Sequence, residues 1–157
     1  MKLTIFSAVL LGMAAFHQVA QAADTPSAIP AAPTTAERLQ AARDAIKAKN
    51  WRFALAELNQ AAKEEPKNAD VHNLLGYSYR KQASPNLPKA FEHYKTALTL
   101  DPKHLGAHEY IGEAYLMDKK PAEAEKHLAQ LAVLCGNKTC EEYADLAKSI
   151  AQYKAQK

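Results

Sequence analysis

Residues 69–82, ADVHNLLGYSYRKQ, align without a gap with residues 105–118, LGAHEYIGEAYLMD, at an offset of 36 positions. Within each stretch, large apolar residues recur four positions apart, the spacing that places side chains on one face of an α-helix. The matched pairs are His72 with His108, Leu75 with Ile111, Gly76 with Gly112, and Tyr79 with Tyr115. The sequence therefore predicts a helical unit that occurs more than once.

The residues that follow these stretches also match, so each unit contains a second helix. Residues 90–94, AFEHY, align with residues 124–128, AEKHL, at an offset of 34, because the earlier unit carries two extra residues in its inner loop at 84–88. Upstream, Ala54, Leu58, Ala61 and Pro66 match Ala90, Tyr94, Ala97 and Pro102. Three units are predicted, at about 35–68, 69–104 and 105–138, each an antiparallel pair of helices.

Particular residues predict where these helices begin and end. Pro66 and Pro102 should close the second helices of units one and two, because proline cannot continue the hydrogen-bond ladder. Two pairs have the spacing of a capping box: Thr34 with Glu37, and Thr139 with Glu142. Gly136 or Asn137 is expected to adopt the left-handed conformation that ends the second helix of unit three.

Small residues at fixed places predict close packing within each pair. Gly76 and Gly112 lie on first helices, where a missing side chain would let the partner helix approach. The matching small contacts on the second helices are Ala54, Ala90 and Ala124. The residues expected to fill the space between pairs are Leu75, Tyr79, Ile111 and Tyr115.

This pattern resembles the tetratricopeptide repeat, a helix pair of 34 residues. That family favours Leu-Gly and then Tyr in the first helix, and Ala, a large residue, Ala and Pro in the second. Unit two matches best, through Leu75, Gly76, Tyr79, Ala90, Tyr94, Ala97 and Pro102, and unit three matches through Ile111, Gly112, Tyr115, Ala124 and Leu128. In unit one Ala41, Ala42 and Ala45 occupy the Leu, Gly and Tyr places, a departure that suits a terminal repeat.

The resemblance implies an all-α fold, a right-handed α-solenoid of about three helix pairs over residues 34–138. Residues 139–157 should add a C-terminal capping helix that covers the apolar flank of unit three. The residues expected on the covering side of that helix are Tyr143, Leu146, Ala147, Ile150 and Tyr153.

The N-terminus has the pattern of a secretory signal peptide over residues 1–22. Lys2 precedes an apolar stretch of about 14 residues, too short for a membrane span of roughly 20, and Ala20-Gln21-Ala22 predicts cleavage after Ala22. Residues 23–33, ADTPSAIPAAP, are expected to form a Pro/Ala-rich flexible leader. The sequence thus predicts a periplasmic or secreted protein that is not inserted in the membrane after cleavage.

Cys135 and Cys140 are the two cysteines of the chain, and in an exported protein they predict a disulfide. Four intervening residues depart from the Cys-x-x-Cys redox motif, and no histidine follows Cys140 for haem attachment. A redox pair and a metal site are the alternatives, but two thiolates alone do not complete a tetrahedral zinc site. The expected role of the bond is to hold the capping helix against unit three.

Composition and motifs argue against catalysis and nucleic-acid binding. The 157 residues carry 20 basic and 17 acidic side chains with no long run of either sign, unlike a nucleic-acid protein. No nucleophile triad, paired-carboxylate pattern or Gly-rich phosphate loop is present. We therefore expect a protein that is not an enzyme and needs no cofactor.

The resemblance places the binding surface on the concave side, which the first helices line. The inward positions it implies are Leu39, Arg43, Ile46 and Lys47 in unit one, Asp70, Asn73, Tyr77, Arg80 and Lys81 in unit two, and Glu109, Glu113, Leu116 and Met117 in unit three. Arg43 and Arg80 are expected to pair with acidic groups of a partner, and Tyr77 to offer a flat apolar contact. Leu39, Arg43 and Gly106 break the Lys/Asn/Lys/Arg clamp with which some members grip a chaperone's C-terminal carboxylate, so that ligand is not expected.

This surface and the predicted signal peptide suggest two functions. The first is a periplasmic adaptor that binds a peptide segment or helix of an envelope protein in its groove. The alternative is an assembly factor or carrier for haem or metal that uses exposed histidines, although their recurrence at equivalent repeat positions favours a scaffold role. Trp51 and Phe53 begin the second helix of unit one and could pack the core or form a dimer contact, so the oligomeric state stays open.

Overall fold

The structure is a computed structural model that describes residues 31–136 and 138–156, and over these residues it contains seven α-helices and no strand. The helices are α1 (Thr35–Lys47), α2 (Trp51–Glu64), α3 (Ala69–Lys81), α4 (Leu87–Leu100), α5 (Leu105–Met117), α6 (Pro121–Leu134) and α7 (Glu141–Ala155). The predicted signal peptide, its cleavage point and most of the leader lie outside the described residues. None of the seven helices has the length and apolar character that crossing a membrane requires.

Most of the helix starts have a side-chain cap. At α1, Thr34 and Glu37 form both halves of the predicted capping box. The caps of the next three helices are Asn50, Asn68 and Asn86, whose side-chain oxygens accept from the backbone N–H three residues on. The capping box predicted at Thr139 and Glu142 is wrong, because α7 begins one residue later with Cys140 in the N-cap place.

The helix ends follow the predicted signals. α2 and α4 stop two residues before Pro66 and Pro102, as predicted. After α6, Gly136 has a φ of 64°, which confirms it as the left-handed residue. Two lysines adopt the same conformation without being glycine: Lys49 has a φ of 55° after α1, and Lys119 has a φ of 59° after α5.

Apolar side chains form three clusters, one at each junction between successive layers of the stack. The first joins units one and two and contains Ala42, Leu58, Ala61, Val71, Leu74 and Leu75. The next joins units two and three and contains Ala90, Tyr94, Ile111 and Ala114. The last joins unit three to α7 and contains Leu116, Ala124, Leu131, Leu146 and Ile150. Each layer buries its apolar face only against its neighbours, which is the organisation of a solenoid, and α7 is the predicted cap.

The two first-helix glycines allow different approaches. A Cβ at Gly76 would lie 2.6 Å from the ring of Tyr94 on α4, the partner helix, as predicted. A Cβ at Gly112 would instead lie 2.6 Å from Cδ2 of Leu146. The predicted role of Gly112 toward its own partner helix is therefore wrong, because it is α7 that presses against α5 at this point.

The disulfide between Cys135 and Cys140 is present, with its Cα atoms 6.1 Å apart. It links the residue that follows α6 to the residue that precedes α7. A covalent link of this kind restricts how far α7 can move from unit three, in agreement with the role predicted for it.

Candidate functional site

Two adjoining depressions run across the first helices and α7, and together they form what we call the groove. The first, of about 220 Å³, is lined by Arg43, Ile46, Lys47, Leu74, Tyr77 and Tyr110. The second, of about 460 Å³, is lined by Arg80, Glu113, Leu116, Met117, Lys119, Ser149, Gln152, Tyr153 and Gln156. The groove thus brings together predicted residues of all three units, and α7 adds a wall that the sequence analysis missed.

Aromatic rings form the floor of the first depression. The Tyr77 ring lies with its centroid 4.7 Å from that of Tyr110 and 6.3 Å from that of Trp51, in tilted arrangements. Trp51 is half-buried here, whereas Phe53 is 47% exposed. Of the two aromatics that begin α2, Trp51 therefore lies beside the groove residue Tyr77, and this contact could not be found from the repeat pattern because it comes from a second helix.

Exposed cations surround this aromatic floor. Arg43 and Lys47 extend from α1, and Lys81 from the end of α3, with its Nζ 5.8 Å from the Tyr77 ring centroid. Arg43 lies 3.7 Å from Asp70, an ion pair in which both side chains remain about half exposed. Exposed pairs of this kind contribute little to stability, so these cations can be redirected to a partner. We call this half of the groove the cationic end.

Arg80 is the principal departure from the predicted groove. Its side chain is 5% exposed, its Nη2 is paired with Glu113, and its Nε donates to the hydroxyl of Tyr94 at 3.3 Å. Its guanidinium also lies 5.4 and 5.7 Å from the ring centroids of Tyr77 and Tyr110. The expectation that Arg80 pairs with a partner's acid is therefore corrected, because its charge is already satisfied inside the domain and supports the aromatic floor from below.

Other predicted groove residues are also partly or wholly buried. Leu39 and Ile46 pack against the first apolar cluster, and Leu116 belongs to the last. Asn73 is 6% exposed, so it shapes the lining rather than projecting into it. Met117, at 44% exposure, does project into the second depression.

Carboxyl groups lie in and beside the opposite half, which we call the acidic end: Glu113 lines the second depression, whereas Glu109 lines neither depression. Glu113 accepts from the Ser149 hydroxyl at 3.1 Å in addition to its pairing with Arg80. Glu109, one turn earlier on α5, is 8% exposed. Burial above all, together with the negative charges of Glu113, Asp145 and Glu142, raises the pKa of Glu109 to about 8.

The histidines form a repeated network that the sequence analysis did not foresee. In unit two, Nε2–H of His72 donates to the carbonyl of Pro66 at 3.0 Å, which leaves its Nδ1 to accept from Nδ1–H of His93 at 3.2 Å. His108 bonds to the carbonyl of Pro102 at 3.0 Å and to His127 at 2.9 Å in the same way. The recurrence at equivalent positions was visible, but only the folded pair shows that the two histidines of one unit meet.

These contacts bear on the alternative of a haem or metal carrier that uses exposed histidines. His108 is buried, and the other four histidines among the described residues are half-buried. His93 and His127 stack on Tyr79 and Tyr115, with centroids 5.6 and 5.7 Å apart. The described part of the chain contains no group of three or more His, Cys, Asp or Glu side chains placed to hold a metal ion.

The comparisons with known proteins agree with this architecture. The family model for the tetratricopeptide repeat matches residues 39–104 and 86–138. The chain belongs to the tetratricopeptide repeat family. Proteins with this repeat are typically scaffolds that bind other proteins or peptides, and the repeat array described above is a scaffold of that type. A search of curated protein sequences found no match.

Solved structures match over most of the array. The TPR2B domain of yeast Sti1, in a complex with pHsp70, matches with a TM-score of 0.69 and 15% identity, over 78% of this chain and 98% of that one. The TPR domain of Arabidopsis OM64 matches with a TM-score of 0.67 and 18% identity, over 76% and 96%. The C-terminal TPR-containing domain of a putative FK506-binding protein of Plasmodium falciparum matches with a TM-score of 0.57 and 20% identity, over 79% and 93%. At these identities the likeness shows the fold.

Proposed function

We propose that this protein is an exported, non-catalytic adaptor that binds a segment of an envelope protein in its groove. One observation carries the proposal: two depressions, joined through the contacts of Arg80 with Tyr77 and Tyr110, lie across α1, α3, α5 and α7, with exposed cations at one end and carboxyl groups at the other. A surface with separated charges and a flat aromatic centre suits an extended or helical segment whose charges complement it in one orientation.

The periplasmic or secreted location belongs to this proposal. It is supported by the signal-peptide pattern of residues 1–22 and is consistent with a disulfide between Cys135 and Cys140. Expression of the full chain in a Gram-negative host, followed by fractionation and N-terminal sequencing, tests it. The expected mature protein begins at Ala23 in the periplasmic fraction, and a full-length cytoplasmic product would contradict the proposed location.

The solved structures similar to this chain do not identify its ligand, so the groove residues decide which ligand is proposed. The yeast Sti1 domain was solved with pHsp70, but Leu39, Arg43 and Gly106 replace the clamp residues expected for a chaperone carboxylate. In addition, unit three contributes Glu109 and Glu113, which offer no positive charge to an acidic ligand at that end. The proposed partner is therefore a segment with charges of both signs.

Affinity capture from envelope extract tests the groove. The variant combines Arg43→Ala, Tyr77→Ala and Lys81→Ala, and leaves out the buried Arg80 so that the domain stays folded. The matched control combines Lys63→Ala and Lys95→Ala, which remove exposed charges from the second helices. Partners identified by mass spectrometry should be lost from the groove variant and retained by the control. Equal retention by both would show that binding does not use this groove.

A further inference from the structure

We propose that Glu109, one helical turn from Glu113 at the acidic end of the groove, is a binding site for a lysine or arginine side chain of the partner. The inference rests on the proposed function, because it names the chemistry of one end of the segment that the groove would bind. It concerns the acidic end, whereas the capture experiment removes residues of the cationic end. The inference and the proposed function can therefore fail separately.

The first observation is that Glu109 is buried without a hydrogen bond or an ion pair. Its side chain is 8% exposed, yet none of the hydrogen bonds and ion pairs found among the described residues involves it. Glu113, one helical turn away, has both Arg80 and the Ser149 hydroxyl. A carboxyl group on so buried a side chain is costly to ionise when no protein donor satisfies it.

The second observation concerns the electrostatic surroundings. The charged groups that act on Glu109 are three carboxylates, Glu113 on α5 and Asp145 and Glu142 on α7, and one cation, Arg80 on α3. Arg80 is already neutralised by Glu113, so the region keeps an excess of negative charge in a partly desolvated place. An incoming cation would interact favourably with several carboxylates at once, in surroundings of lower effective dielectric than water.

A third observation extends the set of unpaired acceptors. Asn73 occupies the same repeat position in unit two as Glu109 does in unit three, and its Oδ1 is buried without a hydrogen bond. Its Nδ2 lies against Gly106, one turn before Glu109, at 3.3 Å from where a Cβ would be. The same repeat position therefore holds an acceptor without a donor in each of these two units, and an ammonium or guanidinium group brings three or five N–H donors.

Without a partner, Glu109 relieves its burial by holding a proton, as its pKa of about 8 indicates. A cation favours the ionised carboxylate, so binding should displace that proton. Affinity for a cationic ligand is consequently expected to rise as the pH increases from about 6.5 to about 8.5. This pH dependence separates a contact with Glu109 from general attraction to surface carboxylates that are already ionised throughout that range.

The test uses the mature full-length protein and a fluorescein-labelled Gly-spaced tetralysine peptide, with the matching tetraglutamate peptide as the probe of opposite charge. Fluorescence anisotropy should show saturable binding of the lysine probe that weakens tenfold or more in Glu109→Gln. Glu141→Gln is the matched control, because it removes the same charge from an exposed position on α7. It should change the affinity less than twofold.

Two further measurements keep the result interpretable. Thermal unfolding should show that Glu109→Gln is at least as stable as the unmodified protein, since an amide carries no ionisation penalty. The rise of affinity with pH should be present in the unmodified protein and absent in Glu109→Gln. Lysine-probe binding equal in Glu109→Gln and Glu141→Gln, or absent at millimolar concentration, would overturn the inference. Retained envelope capture by the groove variant would instead overturn the proposed function.

Discussion

Substituting Gly76 by alanine tests the close approach of α3 to α4. Gly76 lies in α3, and a Cβ there would lie 2.6 Å from both Cδ1 and Cε1 of Tyr94 and 3.0 Å from its Cγ. Ordinary carbon contacts are about 3.5–4.0 Å, so the ring or the helix must shift by about an ångström. Tyr94 is fully buried and its hydroxyl accepts from Arg80, so the ring has no free space to enter.

Two opposing free-energy terms set the size of the effect. Replacing glycine by alanine within a helix stabilises it by about 1 kcal/mol through helix propensity alone. Overpacking a filled core costs about 1–3 kcal/mol, and the upper half of that range applies where the neighbour is held in place. The net expectation is that Gly76→Ala lowers the free energy of unfolding by about 1–2 kcal/mol, which is opposite in sign to the propensity effect.

Urea unfolding followed by circular dichroism at 222 nm measures this change as a shift of the midpoint at constant slope. Gly106→Ala is the control, because its Cβ would lie 3.3 Å from the Asn73 amide and 3.6 Å from the His104 ring, and it should be neutral or stabilising. In a Tyr94→Leu background, which removes the ring, Gly76→Ala should cost at least 1 kcal/mol less than it does alone. If Gly76→Ala proved as stable as Gly106→Ala, the close packing of α3 on α4 would not be as described.

Three other perturbations have definite expected outcomes. Lys49→Gly and Lys119→Gly should each raise the free energy of unfolding by about 1 kcal/mol in urea titrations, because the two lysines have left-handed φ values of 55° and 59°. An unchanged free energy of unfolding would contradict this geometry at the helix ends. Burial and the neighbouring histidine lower the pKa of His127 to about 4, so between about pH 6.5 and pH 4 the unfolded chain binds more protons and stability should fall. The loss has an upper limit of about 3 kcal/mol at 1.4 kcal/mol per pH unit, and solvent screening of the partly exposed ring reduces it. The urea midpoint, measured over this pH range, should fall less steeply in His127→Gln than in the unmodified protein. An equal fall in both proteins would show that His127 is not the cause. Reduction of the disulfide between Cys135 and Cys140 should cost about 2 kcal/mol by the loop-entropy model and increase amide exchange in α7 more than in α3, whereas uniform exchange would argue against its role in holding the cap.

The fold was predictable because its information is local and repeated. The Leu75-Gly76 pair, Tyr79 and the closing Pro66 recur at nearly constant offsets, and each acts on the helix that contains it or on the next helix in the chain. In a solenoid the repeats stack in the order in which they occur in the sequence, so the order of the helices along the chain largely determines their tertiary arrangement. The wrong predictions about the fold concern the end of the array, where α7 begins one residue later than predicted and packs on Gly112.

The groove was predictable in its position but not in the state of its side chains. Exposure of Arg43, Lys47 and Lys81 follows from their places on first helices. Burial of Arg80 does not, because it depends on Tyr94 from α4 and on Glu113 from α5. Helix periodicity predicts which way a side chain leaves its own helix, and it contains no information about what meets it there.

The sequence by itself determined the helices, their pairing and the class of scaffold, since these depend on interactions between residues that are close along the chain. Only the tertiary structure decided which charges are paired and which are left without a partner. The two histidines of unit three meet across helices, and Glu109 is buried among carboxylates from α5 and α7 with no donor. Desolvation and Coulomb interactions depend on the distance between groups in space, and for Glu109 part of that environment comes from a capping helix more than thirty residues away in the chain.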